Sequence, residues 1–158
     1  MKAGSIRIMR ESPDQDEVRA MIRWLDEYMS ALYPPESNHF LDVSALLAPN
    51  VRFFVARDVI RGVGCGALVV HGTGNAAYGE IKRMYVDPAL RGRGLGRLLL
   101  EALEAEGRVT GLAFLRLETG PKQPEALGLY RRAGFVERGP FGDYAPDPLS
   151  VFMEKRLA

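Results

Sequence analysis

The residues best suited to chemistry form a glycine-rich turn between a predicted strand and a predicted helix. Residues 86–97 read Val-Asp-Pro-Ala-Leu-Arg-Gly-Arg-Gly-Leu-Gly-Arg. Glycines permit positive φ angles and let backbone N–H groups approach a ligand closely. The N-terminus of the following helix adds unpaired N–H donors and the positive end of a dipole, which favour phosphate. The turn therefore predicts a polyphosphate site, at which Arg91, Arg93 and Arg97 supply positive charge.

Two common nucleotide-binding motifs do not fit this turn. A dinucleotide fingerprint that began at Gly92 would need a glycine at the position of Arg97. A P-loop needs Gly-Lys followed by Ser or Thr, and the sequence contains no such triplet. The turn taken alone leaves one alternative open, a plain glycine turn with solvated arginines.

The elements that must position this turn can be predicted from apolar spacing and from turn residues. Residues 5–10 alternate between apolar and charged side chains, which is typical of a strand. Ser12 and Pro13 predict the N-cap and first position of a helix, whose apolar stripe continues to Leu32. The prolines after Tyr33 end that helix. The further predicted elements are a short helix over Leu41–Leu47, strands over Val51–Ala56, Val63–Val70 and Ala77–Val86, a helix from Leu95, a strand over Ala113–Glu118, a helix from Pro124 that stops at Gly134, a strand from Phe135 and a last strand over Leu149–Lys155.

The order of these elements, βααβββαβαββ, predicts an α/β fold with a mixed central sheet and helices on both faces. A chain of 158 residues suits one domain better than two, so we expect a single domain over residues 1–158. Lys82 and Arg83 would point to opposite faces of a regular strand. Because a central strand is usually apolar, this charged pair indicates a cleft or a bulged strand.

Composition and charge exclude several classes of protein. The 21 basic and 20 acidic residues give a net charge of +1, so we expect no nucleic-acid partner. Cys65 is the single cysteine, and His39 and His71 are the two histidines, so no metal site is predicted. The sequence shows no signal peptide and no apolar run near the ~20 residues of a membrane helix, so we expect a cytoplasmic protein without a membrane partner. We further expect a buried, inert thiol at Cys65 and a turn position at His71.

Two motifs carry a resemblance to a known family. Arg91-x-x-Gly94-x-Gly96 is similar to the [QR]-x-x-G-x-[GA] signature of the GNAT superfamily of N-acetyltransferases. Residues 123–135 resemble the later family helix N-x-x-A-x-x-x-Y-x-x-x-G-F, with Ala126, Tyr130, Gly134 and Phe135 in register and with Gln123 in place of asparagine. The strand order also fits, so the resemblance covers nearly the whole chain.

The resemblance implies that acetyl-CoA is the acetyl donor and that the turn holds its pyrophosphate. It further implies that the strand before the turn separates from the next strand and binds the pantetheine arm through its backbone, with the Met84 N–H on the acetyl oxygen. The implied acetyl-CoA contacts are Met84, Tyr85, Val86, Arg91, Gly92, Arg93, Gly94, Leu95, Gly96, Arg97, Gln123 and Tyr130.

Two residues could supply acid–base chemistry. Glu80 lies eleven residues before Arg91, a spacing that resembles the catalytic glutamate of the histone-acetylating branch of the family. It would act as a base, directly or through water; the alternative is a strand acid paired with Lys82. The family motif implies that Tyr130 protonates the departing thiolate. An unperturbed tyrosine has a pKa near about 10 and a thiol near about 8.5, which are close enough for transfer; the alternative is an aromatic packed on a helix face.

Two segments are expected to line the acceptor pocket, because the same regions do so in the family. One runs between the first two helices and contains Tyr33 and His39, and the other is the loop that contains Tyr144. Arg83, near the predicted cleft, could bind a carboxylate of the substrate. A solvated loop is the alternative for each loop residue.

The function that fits best is an N-acetyltransferase that moves acetyl from acetyl-CoA to the primary amine of a small molecule or amino-acid-like acceptor. Direct attack in a ternary complex, without a covalent enzyme intermediate, is expected. A protein lysine or N-terminal acetyltransferase is the enzyme alternative, and a non-catalytic acyl-CoA-binding module is the alternative from another class. The sequence leaves a homodimer open.

Overall fold

The structure, a computed structural model, describes residues 5–157; residues 1–4 and 158, which the single-domain prediction also covers, lie outside the described residues. Its elements follow the predicted order. They are β1 (Ile6–Arg10), α1 (Asp16–Leu32), α2 (Val43–Leu46), β2 (Val51–Asp58), β3 (Arg61–His71), β4 (Tyr78–Val86), α3 (Leu95–Val109), β5 (Phe114–Thr119), α4 (Pro124–Arg132), β6 (Val136–Arg138) and β7 (Val151–Arg156), with short 3-10 turns at Pro35–Ser37, Gly74–Ala76 and Pro88–Leu90.

The described strands form one mixed sheet in the order β1-β2-β3-β4-β5-β7-β6. The pairs β1–β2, β2–β3 and β3–β4 are antiparallel, and β4 is parallel to β5. Strand β7 lies between β5 and β6 and is antiparallel to both. A parallel pair needs a crossover connection, and α3 supplies it between β4 and β5. The predicted α/β fold with a mixed sheet is therefore confirmed.

Alternation along the central strands divides the core between the two faces of the sheet. Leu68 and Ile81 pack with Leu100 and Leu103 of α3 and with Leu127 of α4. On the opposite face, the intervening residues of β3 pack against α1 and α2; this cluster contains Val18, Met21, Ile22, Leu46, Cys65, Ala67 and Val69. Side chains of a strand point alternately to its two faces, so one apolar sequence serves both helical layers. Within the described residues, no helix is both long enough and apolar enough to cross a membrane.

The predicted start of α1 is wrong by one turn. Ser12 does not cap the helix, because its hydroxyl accepts a hydrogen bond from the Asp14 N–H at 3.1 Å within a turn that precedes it. Gln15 takes the N-cap position, and the acidic first turn begins at Asp16. The last strand also begins later than predicted, at Val151. Asp147 holds the chain in a turn there by accepting a hydrogen bond from the Leu149 N–H at 2.8 Å.

Candidate active site

Strand β4 separates from β5 in the middle of the sheet. The two strands pair only through Gly79–Ile81, whereas β4 continues to Val86. On its other edge β4 has a bulge, because Cys65 pairs with Tyr85 while Ala67 pairs with Lys82. Between these pairs, Gly66 of β3 faces two residues of β4, Arg83 and Met84. The φ angle of Arg83, 58°, lies in the left-handed region. The prediction of a bulged strand beside a cleft is confirmed.

A cleft of about 870 Å³ follows this separation. Its β4 wall consists of every residue from Glu80 to Val86, and its floor at one end is the whole glycine-rich turn from Leu90 to Arg97. Helix α4 and the end of β5 form the second wall. The other lining residues come from α1, the segment after it, β5 and α4: Trp24, Leu25, Tyr28, Met29, Ser37, His39, Phe40, Glu118, Thr119, Gln123, Glu125, Ala126, Leu129, Tyr130, Arg132 and Ala133.

The glycine-rich turn has the backbone geometry of an anion site. Gly92 and Gly94 have φ angles of 79° and 78°, and a Cβ built on either glycine would meet no atom within 4 Å. Gly94 is the N-cap of α3 and offers no side chain to the first N–H groups of the helix. Those N–H groups can therefore donate hydrogen bonds to a pyrophosphate, and the exposed Arg91, Arg93 and Arg97 can pair with its negative charge. The guanidinium of Arg91 also lies 5.4 Å from the ring centre of Trp24, which links the turn to α1.

Gly96 brings helices α3 and α4 together. A Cβ at this position would lie 3.2 Å from a methyl carbon of Leu129, closer than most side-chain contacts. The small residue thus lets α4 approach the start of α3. This packing places Tyr130, one residue after Leu129, along the same cleft as the turn.

Tyr130 is 6% exposed, and its ring packs edge-on against Phe135 with 5.8 Å between ring centres. Burial raises the pKa of Tyr130 well above its ordinary value, because the phenolate would lose its hydration. The hydroxyl is therefore protonated at neutral pH. Such a group cannot serve as a base at neutral pH, and its raised pKa makes it a weaker proton donor to a thiolate than an unperturbed tyrosine would be.

Glu80 is buried within a network of polar side chains. One oxygen, Oε2, accepts a hydrogen bond from the Tyr144 hydroxyl at 2.5 Å, and the other, Oε1, lies 2.9 Å from Nε2 of His71. The Lys82 ammonium is 3.5 Å from Oε2 and donates to the Tyr144 oxygen at 2.8 Å. The predicted pairing of Glu80 with Lys82 is present, and the same carboxylate lines the cleft, where a base would have to lie.

Tyr144 and Tyr33 were both predicted to line the acceptor pocket, but neither side chain is part of the cleft lining. Tyr144 lies behind Glu80 as its hydrogen-bond donor; burial and then the nearby carboxylate raise its pKa, so the phenol stays protonated. Tyr33 is 4% exposed outside the cleft lining, because its hydroxyl is used within the fold. It donates to Oε1 of Gln123 at 3.3 Å and accepts from the Lys122 N–H at 3.1 Å. Tyr33 therefore fixes the start of α4 and orients Gln123.

Arg83 and His39 complete the predicted site residues. The Arg83 guanidinium donates to the Leu41 carbonyl at 2.8 Å and pairs with Asp26 at 2.7 Å, so it ties the bulge to α1 and the segment after it. These internal partners weigh against the prediction that it binds a carboxylate of the substrate. His39 does line the cleft, edge-on to Tyr144 with 5.0 Å between ring centres. Partial burial, followed by the charge of Lys82, lowers its pKa, so its imidazole is neutral at pH 7.

Two titratable residues near Glu80 were not predicted as site residues from the sequence. His71 was assigned to a turn, but it ends β3 and contacts Glu80; the hairpin register, which sets His71 opposite Tyr78, is the signal that could have found it. Glu118 near the end of β5 also lines the cleft. Burial raises its pKa to about 7, an effect that Lys82 partly offsets. Its signal is the alternation of β5, in which Leu115, Leu117 and Thr119 are buried and Glu118 lies on the other face.

The buried thiol predicted at Cys65 is present. The side chain is fully buried, and its sulfur lies 3.4 Å from the carbonyl oxygen of Arg83. Burial raises the pKa of the Cys65 thiol to about 12. A thiol that stays protonated is a poor nucleophile, so a covalent acyl-cysteine mechanism is not favoured.

Comparison with known proteins identifies the class that this fold and cleft define. The acetyltransferase (GNAT) domain family matches residues 49–137. An IAA acetyltransferase of Azospirillum brasilense is 53% identical over 97% of this chain and 99% of its own length. The N-acetyltransferase YsnE of Bacillus subtilis, whose activity is uncharacterised, is 37% identical over 82% of this chain and 85% of its own length.

Solved structures agree with this result. A Klebsiella pneumoniae structure of a candidate acyl-CoA N-acyltransferase is 40% identical, covers 97% of this chain and 98% of its own, and has a TM-score of 0.82. The PaiA N-acetyltransferase of Thermoplasma acidophilum, solved with coenzyme A, shares the fold at 21% identity and a TM-score of 0.73, with 96% of this chain and 99% of that chain covered. The chain belongs to the GNAT family of acetyltransferases. It is an acyltransferase, and its acetyl donor is acetyl-CoA.

Proposed function

We propose that this acetyltransferase moves acetyl from acetyl-CoA to the primary amine of a small molecule by direct attack in a ternary complex. The observation that carries the proposal is the continuity of the cleft. A single cleft reaches from the uncapped N-terminus of α3 to the buried carboxylate of Glu80. A donor held at the turn and an amine beside Glu80 would therefore meet along β4.

The donor half of the reaction would depend on backbone groups. The turn at Gly92–Gly96, the N-terminus of α3 and the three arginines would hold the pyrophosphate. Beyond Ile81, β4 has no β5 partner, so its free edge is available to the pantetheine arm. The Met84 N–H would then donate to the acetyl oxygen as negative charge develops on it.

The chemical step would use one base and one acid. Glu80 takes a proton from the ammonium of the acceptor, directly or through water, and the free amine attacks the acetyl carbonyl carbon. As the tetrahedral intermediate collapses, the C–S bond breaks, Tyr130 gives its proton to the departing sulfur, and the nitrogen loses its second proton to water to leave the neutral amide. The products are the acetylated amine and coenzyme A. The tyrosinate regains a proton from solvent, which its raised pKa favours.

The acceptor end supports a small, partly apolar molecule. Phe40, whose ring centre lies 4.9 Å from the Arg83 guanidinium, and His39, which packs on Tyr144, line this part of the cleft, while Arg83 holds the segment after α1 against the bulge. Trp24 and Tyr28 stack with 5.1 Å between ring centres, which presents a flat apolar surface to the cleft. The name of the Azospirillum relative adds IAA to the molecules worth testing as acceptors. A protein substrate would instead need a long exposed groove beside residues 33–40.

The test is release of coenzyme A thiol from acetyl-CoA, measured across a panel of small amines, amino acids, IAA and lysine peptides. We expect acceptor-dependent release with a small molecule and a mass gain of one acetyl group on that acceptor. Turnover confined to peptides would replace the proposal with protein acetylation. Acetyl-CoA binding, seen as a thermal shift absent with ATP and NAD, but without turnover of any acceptor would favour the binding-module alternative.

A further inference from the structure

His71 connects the buried carboxylate of Glu80 to solvent. Glu80 is 5% exposed, whereas the side chain of His71 is 38% exposed. Only 2.9 Å separates Oε1 of Glu80 from Nε2 of His71. Nε2 of His71 therefore contacts the carboxylate, while part of the imidazole surface is exposed to solvent.

The fold holds this imidazole in place. In the β3–β4 hairpin, His71 lies opposite Tyr78 and Val69 lies opposite Glu80, so His71 and Glu80 share one face of the sheet as diagonal neighbours. The rings of His71 and Tyr78 stack with 5.1 Å between centres. Tyr78 is in turn covered by the Arg116 guanidinium at 4.4 Å, and Arg116 pairs with Glu154 at 2.7 Å. The stacked side chains of Tyr78 and Arg116 thus hold His71 against Glu80.

The other polar partners of Glu80 cannot carry a proton away from it. Tyr144 is a protonated phenol that already donates its hydrogen to Oε2, and Lys82 is an ammonium that has donors alone. Neutral imidazole differs, because one ring nitrogen accepts a proton while the other gives one up. Among the described side chains that contact the carboxylate, His71 alone combines a proton acceptor with access to water.

The reaction requires such an exit. An ammonium acceptor and acetyl-CoA yield an amide, the coenzyme A thiol and one free proton, so each turnover leaves a proton on the base. Glu80 is 5% exposed and must lose that proton before the next cycle, either through the cleft, which the acceptor and product occupy during turnover, or through one of its polar neighbours.

We propose that His71 is the relay through which Glu80 returns this proton to solvent. The protonated carboxyl gives its proton to Nε2 of His71 in the tautomer that carries its hydrogen on Nδ1, and the resulting imidazolium gives its Nδ1 proton to bulk water or buffer. Exchange of the remaining ring proton with solvent then restores the starting tautomer before the next turnover. His71 acts through Glu80 and does not touch the acceptor. The inference rests on the proposed role of Glu80 as the base.

The experiment compares His71→Ala and His71→Gln with the wild-type enzyme at low buffer concentration. Glutamine can still donate a hydrogen bond to Glu80, but it cannot pass a proton. We expect both variants to lower kcat by about 10-fold or more, with the KM for acetyl-CoA unchanged. Added imidazole should restore kcat of His71→Ala in a saturable manner and leave the wild type unaffected. The solvent deuterium isotope effect on kcat should rise in both variants.

Several results would overturn the relay. Full kcat in His71→Gln would show that a hydrogen bond suffices, and unchanged kcat in His71→Ala would show that the proton leaves elsewhere. Low kcat without imidazole rescue, in a variant that still gives the wild-type thermal shift with acetyl-CoA, would assign His71 a purely structural role.

Glu80→Gln separates this inference from the proposed function. If Glu80→Gln is impaired while the His71 variants behave as wild type, the base stands and the relay fails. If Glu80→Gln retains full kcat, the proposed base itself is wrong.

Discussion

The two ends of the cleft are built in opposite ways. The donor end comes from one short stretch, residues 91–97, whose glycines set the backbone and whose arginines are exposed. The acceptor end gathers side chains from separate elements around a buried carboxylate, including His71 of β3, Lys82 of β4, Glu118 of β5 and the loop residue Tyr144. Donor binding should therefore depend on backbone conformation, and turnover on a side-chain network. Substitutions at the two ends should accordingly separate affinity for acetyl-CoA from kcat.

The largest expected effect is at the acceptor end. Glu80→Gln should lower kcat by about 10³-fold, because an amide cannot take the ammonium proton. Affinity for acetyl-CoA should stay the same, because the glycine-rich turn lies at the other end of the cleft. Steady-state thiol release measures the first quantity, and a thermal shift with acetyl-CoA measures the second.

A matched control is Glu137→Gln, which neutralises an exposed glutamate on β6 that pairs with Arg131. It should leave both quantities at the wild-type level. Loss of acetyl-CoA affinity in Glu80→Gln would mean that the two ends are coupled through β4, and the comparison between them would fail.

Tyr130 lies on α4 between the two ends, and its variant should show an intermediate effect. Tyr130→Phe should lower kcat by about 10²-fold, less than Glu80→Gln because a thiolate is a tolerable leaving group near neutral pH. The change deletes one oxygen from a buried ring and keeps the packing against Phe135. Stopped-flow measurement of thiol release in a single turnover tests this step directly. A wild-type rate in that measurement would remove Tyr130 from the mechanism.

The donor end was predictable from the sequence because its geometry is local. The spacing of Gly92, Gly94 and Gly96 predicted a turn into a helix, and the adjacent charges of Lys82 and Arg83 predicted the bulge beside it. Both features depend on residues close together in the chain, so pattern and φ preference suffice. The order of strands and helices was predictable for the same reason.

The acceptor end was not predictable, because it depends on tertiary contacts. The Tyr144–Glu80 hydrogen bond joins residues 64 positions apart, and the Arg83–Leu41 bond joins residues 42 apart. A sequence pattern gives the type of each residue but not which of its possible partners it meets. Arg83 was therefore assigned to the substrate and Tyr33 to the pocket, although each is used inside the fold.

A smaller effect is expected from one methyl group at the donor end. Gly94→Ala places a side chain at a φ of 78°, which costs roughly 1–2 kcal/mol for an L-residue. Part of that strain would be relieved by rearrangement of the empty turn, so the Kd for acetyl-CoA should rise up to about 10-fold. Isothermal titration measures this Kd, and kcat at saturating acetyl-CoA should change little.

Gly111→Ala is the matched control for backbone strain. Gly111 follows α3, has a φ of 82° and, like Gly94, has no atom within 4 Å of a built Cβ. It should lose stability to a similar degree and keep the wild-type Kd. Equal loss of affinity in both variants would show that general destabilisation, rather than the shape of the turn, limits donor binding.

The smallest effect concerns the pH dependence of stability at the acceptor end. The folded protein raises the pKa of Glu118 to about 7 from its ordinary value of 4.5, chiefly through burial. The native state therefore binds this proton more tightly than the unfolded state does, and ionisation of Glu118 costs stability as pH rises from 4.5 to 7. Glu118→Gln, which stays neutral, should raise the Tm of the ligand-free enzyme above pH 7, and the gain should shrink towards pH 5. Each kcal/mol should appear as about 2–4 °C.

Differential scanning fluorimetry of the variant, the wild type and Glu137→Gln at several pH values measures this difference. The exposed control should follow the wild type, because its carboxylate is solvated in both the native and the unfolded state. A pH-independent gain in Glu118→Gln would mean that the carboxyl of Glu118 titrates normally and that its burial does not destabilise the charged form. A gain confined to high pH would show that the acceptor end holds a second carboxylate at the expense of stability, whereas the donor end is held by backbone geometry.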